Sequence, residues 1–189
     1  MYCGIGDDNL MDQKVILYIA MSADGFIART DGDISWLDSV KDEKQDYGYS
    51  SFMQKIDTVV MGRRTYEQVL KMTSESPHKD KKCYVVSSTL QGEIDNLEFY
   101  NGDPARLVRE LLRKPGGDIY IDGGAELIKS LKSEGIIDQY VISIIPVFLG
   151  NGMRLFQEVE REDELELIGT RMYENGFIQL RYRLKSRRK

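Results

Sequence analysis

Thr58-Val59-Val60-Met61-Gly62-Arg63-Arg64-Thr65-Tyr66-Glu67-Gln68-Val69-Leu70 passes from a short apolar, β-branched run through one glycine into a segment with helical spacing. The stretch predicts a buried strand, a turn and a helix start. A helix N-terminus carries partial positive charge and free backbone N–H groups, so two arginines there are locally unfavourable unless a negative group is bound. A phosphate would satisfy both the N–H groups and the guanidinium groups. The alternative is a plain turn at Gly62, with both arginines in water.

Tyr120-Ile121-Asp122-Gly123-Gly124-Ala125-Glu126-Leu127 repeats the device. Lacking Cβ atoms, Gly123 and Gly124 would let a pyrophosphate come close to the backbone, although paired glycines also serve tight turns. Two such junctions at the ends of neighbouring parallel strands carry more weight, because open α/β sheets bind ligands beyond their carboxyl ends. The two would then hold different parts of one dinucleotide. No G-x-G-x-x-G follows the first strand and no G-x-x-x-x-G-K-[ST] occurs, which sets aside ordinary Rossmann and P-loop readings.

Outward from these junctions, apolar runs of strand length lie at Val15 to Met21, Cys83 to Val86, Ile119 to Ile121 and Tyr140 to Phe148. Helical patterns fall between most of them: Leu107, Leu111 and Leu112 share one face, as do Leu127, Ile128 and Leu131. Alternating strands and helices imply an α/β fold with a largely parallel sheet covered on both sides. Near the C-terminus, Ile178, Leu180, Tyr182 and Leu184 alternate with Gln179, Arg181, Arg183 and Lys185, the pattern of a strand with one wet face. Asn175-Gly176 and a partner strand over Leu165 to Tyr173 make this an antiparallel hairpin.

The 189 residues fit one domain, and 41% apolar residues plus 17 glycines describe a globular chain. A net charge of −5 disfavours nucleic acid and anionic membrane and favours a small-molecule partner. No stretch is long and apolar enough to span a bilayer, and no secretory signal is evident, so a cytoplasmic location is expected. Two cysteines, Cys3 and Cys83, read as free thiols rather than a disulfide or zinc site, and no metal is expected. His78, the sole histidine, lies in the polar segment Ser76-Pro77-His78-Lys79-Asp80 and reads as a surface residue.

Five segments in this order resemble the dihydrofolate reductase-like superfamily: Met21-Ser22-Ala23-Asp24-Gly25-Phe26-Ile27-Ala28, Met61 to Glu67, Val85-Val86-Ser87-Ser88, Asp122-Gly123-Gly124-Ala125, and Ile145-Pro146-Val147-Phe148-Leu149-Gly150-Asn151-Gly152 with Leu155-Phe156. The set is most similar to the reductase domain of the bifunctional riboflavin-biosynthesis deaminase-reductase. It spans residues 14–185 as a single domain, with 1–13 as an N-terminal extension and 186–189 as a basic tail.

The resemblance implies a three-layer α/β/α architecture with about eight strands, NADPH as cofactor, and a homodimer. Residue by residue, it implies that Ala20 and Ile27 flank the nicotinamide and that Gly62, Arg63, Arg64 and Thr65 meet the phosphates. Ser87 and Ser88, with Arg63 or Arg64, would face the 2′-phosphate, while Gly123, Gly124, Ala125 and Glu126 would cradle the pyrophosphate. True dihydrofolate reductases follow their loop tryptophan with a proline-containing segment and a buried acid. Here Trp36 is followed by Leu37-Asp38-Ser39-Val40 without proline, and no arginine matches the folate carboxylate anchor. The deaminase motifs H-x-E and P-C-x-x-C are absent.

The expected activity is therefore hydride transfer from NADPH to a small heterocyclic or carbonyl substrate. A non-catalytic NADP-binding sensor or scaffold and a weak dihydrofolate reductase are the alternatives. Asp24 is the first candidate for substrate contact or proton supply and Asp38 the second, and Trp36 is a candidate pocket wall. For Asp24 a simple turn acid beside Gly25, and for Trp36 a loop pin, are the competing roles.

Overall fold

The structure, a computed structural model, describes residues 13–42, 44–72, 76–157 and 162–185. Cys3, most of the expected N-terminal extension and the basic tail lie outside them. β1 (Val15–Ser22), β3 (Ile56–Gly62), β4 (Lys82–Val86), β6 (Leu97–Tyr100), β7 (Asp118–Gly123) and β8 (Gln139–Ile145) form a parallel centre in the order β8-β1-β7-β3-β4-β6. β10 (Leu165–Met172) and β11 (Ile178–Leu184) add the expected antiparallel hairpin beside β8, and β5 (Gly92–Ile94) adds an antiparallel strand at the other edge. The sheet thus has nine strands rather than about eight. The strands missed from sequence are short: β5 and β6 turn through Asp95 at φ 53°, and β2 (Phe26–Ala28) pairs separately with β9 (Met153–Arg154).

Alternation along the central strands divides their side chains between two apolar layers. Val15, Leu17, Ile119 and Ile121 pack against α3 (Pro104–Leu111) and α4 (Ala125–Ser133) through Leu107, Leu111, Leu127, Ile128 and Leu131. Val59, Met61, Val85 and Tyr120 pack on the other side against Phe52 of α1 (Tyr49–Met53) and Tyr66 of α2 (Arg63–Met72). α3 starts where Asp103 accepts the N–H of Ala105 at 3.0 Å and Pro104 occupies the first turn. β8 ends at Ile145, earlier than the apolar run to Phe148 suggests, because Pro146 has no N–H for the ladder. Gly176, at φ 81°, closes the hairpin with its N–H on the Tyr173 carbonyl at 3.0 Å.

Among the described residues no helix is long and apolar enough to cross a membrane.

Candidate functional site

The strand order sets β1, β7, β3 and β4 side by side and parallel, so their carboxyl ends form one continuous rim. Both glycine junctions lie on it. A Cβ placed on Gly62 would stand 3.6 Å from the Gly124 nitrogen and 3.7 Å from the Gly123 carbonyl oxygen, so the two turns lie next to each other with room for about one methyl group between them. Thr65 joins them: a Cβ on Gly124 would stand 3.4 Å from its Oγ1. Positive φ falls on Gly123, at 99°, whereas Gly124 is at −81° and serves as the N-cap of α4 without a side-chain cap. Gly62, Thr65, Gly123 and Gly124 therefore form one cradle, lined by glycine backbone and flanked by the starts of α2 and α4.

Arg63 and Arg64 are both exposed at the start of α2. Arg63 donates to Thr89 Oγ1 at 2.8 Å and lies 3.3 Å from Glu67, which ties α2 to the loop after β4. Thr89 is a site residue the sequence reading missed. Ser87 is 6% exposed, and its Oγ accepts the N–H groups of Thr89 at 3.2 Å and Leu90 at 2.9 Å, so it shapes the loop from within. Ser88 is exposed on the same loop, where its hydroxyl has access to a ligand. Ala125 is partly exposed in the first turn of α4, and Glu126 is turned to Gln157, whose Nε2 donates to it at 2.8 Å.

Ala20 and Ile27 do not pack in the same cluster. Ala20 lies against Trp36, Ile145 and Phe177, and Ile27 joins the layer beneath α3 and α4. Trp36 sits in a 3-10 helix, Ser35–Val40, and is 5% exposed. Its indole Nε1 is buried with no hydrogen-bond partner among the described residues. An unpaired buried donor costs about 1–3 kcal/mol, which an acceptor reaching it would relieve. Asp38 is exposed on the same 3-10 helix.

The Asp24 carboxylate accepts from the Ser22 hydroxyl at 2.5 Å, the Leu149 N–H at 3.1 Å and the Gly150 N–H at 2.7 Å. Ser22 above all, then the two amides, hold its carboxyl below the usual carboxylate range. A carboxylate so engaged is a poor proton donor, and the turn-acid role fits Asp24 better than proton supply.

His78 corrects the sequence reading more sharply. It is half-buried, not a surface residue, and its Nε2 donates to Asp122 Oδ2 at 3.2 Å with side-chain exposures of 16% and 17%. The Tyr120 hydroxyl donates to the other Asp122 oxygen at 2.5 Å. Burial first, then the neighbouring carboxylate, raises the Tyr120 and Tyr49 phenols well above their ordinary value. Burial likewise pushes the Cys83 thiol up to about 12, so it stays protonated at neutral pH. His78, Asp122 and Tyr120 thus form a polar chain ending directly before the Gly123–Gly124 cradle. Asp122 directly precedes the Gly123–Gly124 turn, but nothing in the sequence joins it to a histidine 44 residues away.

The chain matches the RibD C-terminal domain family over residues 13–179. It belongs to that family. It is 42% identical over 173 residues to the uncharacterised protein YwjB of Bacillus subtilis strain 168, covering 91% of this chain and 98% of YwjB. A crystal structure from Shewanella sp. PV-4, provisionally designated a riboflavin biosynthesis protein, superposes with TM-score 0.84 at 31% identity, covering 92% of this chain and 100% of that one. Dihydrofolate reductase from Enterococcus faecalis, solved with NADP(H), has TM-score 0.69 at 18% identity, covering 93% and 98%, and shares the fold.

Two outcomes follow from the site's geometry. Asp24→Asn should destabilise the protein at pH 7, as measured by urea unfolding. The folded carboxyl is held low, so its contribution is present above the unfolded value of about 3.9 and is lost as pH falls through the folded value; the gap between variant and wild type should therefore close below about pH 4. Gly124→Val should abolish nucleotide binding, measured by fluorescence titration, while circular dichroism stays native, because its side chain would occupy the notch beside Thr65.

Proposed function

We propose that this chain is an NADPH-dependent reductase of a small heterocyclic or carbonyl compound, of the riboflavin-pathway pyrimidine-reductase type. The observation that carries the reading is the closeness of Gly62 to Gly123–Gly124, which sets the start of α2, with its two arginines, beside the start of α4, which has no side-chain cap. Adding a Cβ at Gly62 or Gly124 would encroach on the cradle, and this smooth backbone surface fits a pyrophosphate. Bound there, NADPH supplies a hydride to an electrophilic carbon of the substrate.

The chain's own residues supply the rest. The cradle N–H groups of α2 and α4 orient the diphosphate. Arg63, steadied by Thr89, meets the adenosine 2′-phosphate together with Arg64 and Ser88. The buried Trp36 N–H offers a hydrogen bond to a substrate acceptor beside Ala20. For proton delivery the His78–Asp122 pair, which shares a sheet face with Tyr120 at the end of β7, takes the place of Asp24 and stands beside the exposed Asp38 as a candidate.

Titration with both cofactors tests this reading. NADPH should bind at least about tenfold tighter than NADH, and Arg63→Ala should lower NADPH affinity about ten- to a hundredfold while leaving NADH nearly unchanged. Equal dissociation constants for the two cofactors in the wild type would sink it. Against a panel of cyclic carbonyl and pyrimidine compounds, Asp122→Asn should cut turnover about a hundredfold or more with NADPH affinity retained.

A further inference from the structure

A cavity of about 290 Å³ lies away from the strand-end rim. It occupies the sheet face carrying Ile16 and Tyr18 of β1, Gln139 and Val141 of β8, Gln179 and Arg181 of β11, and Arg171 of β10. Strand register places them together: Tyr18 is opposite Val141, Val141 opposite Arg181, and Gln179 opposite Arg171. The cavity exists because α1 has five residues, about 7.5 Å of helix, over strands of seven and eight. α1 covers β1 with Phe52, whose ring stacks on Tyr18 at 4.7 Å, and leaves β8, β11 and β10 open.

The lining is chemically lopsided. Its floor is part apolar, with Ile16 and Val141 at 6% and 5% exposure. At the bottom the Gln179 amide, 4% exposed, donates to the Tyr18 hydroxyl at 2.9 Å, so the strand face read as wet in sequence is the base of a cavity. Its rim carries Lys14, Lys55, Arg171 and Arg181 against one acid, Asp118, in a chain of net charge −5. None of the four cations has an ion-pair partner among the described residues. Asp118 accepts the Lys14 backbone N–H at 2.9 Å. Opposite Arg181 stands Gly169, whose absent side chain leaves room for the arginine stem.

We propose that this groove is a second ligand site, for a small organic anion bearing phosphate or carboxylate groups. Four cations without an ion-pair partner among the described residues, around a floor that is part apolar and part hydrogen-bonding, match a compact ligand with more than one negative charge, and the volume suits one such molecule. The site is independent of the reductase reading: Lys14, Ile16 and Tyr18 line it in the first half of β1, whereas the nucleotide cradle lies at the far ends of the strands.

The test is a two-dimensional amide NMR titration of the full chain with inorganic pyrophosphate in one arm and citrate in the other, at low ionic strength. Shifts at Gly48, Ser51, Gln179 and Arg181 report the groove, and shifts at Gly62–Thr65 and Gly123–Glu126 report the nucleotide cradle, so the two sites succeed or fail separately. Saturable groove shifts with at least one anion are expected, and the tighter arm tells phosphate from carboxylate. The Arg171→Gln/Arg181→Gln double variant should weaken that binding at least about tenfold. Groove amides that stay still in both arms, or an unchanged affinity in the double variant, would overturn the proposal.

Discussion

The approach of Gly62 to the Gly123–Gly124 peptide is the constraint on which the rest of the molecule's organisation turns. β3 and β7 are adjacent and parallel, and a register shift between Val60 and Met61 brings Met61 opposite Gly123, so both strands end at one level. A Cβ at Gly62 would fit at ordinary contact distance, 3.6 Å from the Gly124 nitrogen, but it would fill the space between the two turns. With glycines that space stays open between the starts of α2 and α4, where the proposed diphosphate would meet their first N–H groups. The strands beneath are fixed by burial: Val59, Val60, Met61 and Ile121 are all 0% exposed.

The two faces of the sheet then take different roles. Beneath α3 and α4 lies the larger apolar layer, and the cradle sits at the strand ends between α4 on this side and α2 on the other. The opposite face is covered by α2 and by the five-residue α1. There polar groups are buried in pairs: Tyr120 with Asp122, His78 with Asp122, Gln179 with Tyr18. Each pairing offsets the cost of desolvating its members. The same short helix that leaves space for this chemistry leaves the cationic groove open further along β1.

Much of the fold was legible because its central strands are apolar runs and α3 and α4 show clean helical spacing. The C-terminal hairpin was legible from alternation and Asn175-Gly176. Strands β2, β5, β6 and β9 were not, since runs of two to four residues have too few positions to show a period. At the site, the glycine junctions could be read because backbone approach is written in the absence of a side chain. The His78–Asp122 pair could not: a histidine in a polar segment looks solvated until the fold brings a carboxylate to it. Asp24 was noticed for its place in a motif, yet only the structure shows its oxygens committed to Ser22, Leu149 and Gly150.

The most direct measurement is an amide NMR titration with NADPH itself, following Gly62–Thr65 and Gly123–Glu126 in the same spectra. If the two glycine turns form one dinucleotide cradle, both sets shift together along a single saturation curve. Movement of one set alone, or two curves with different midpoints, would contradict it.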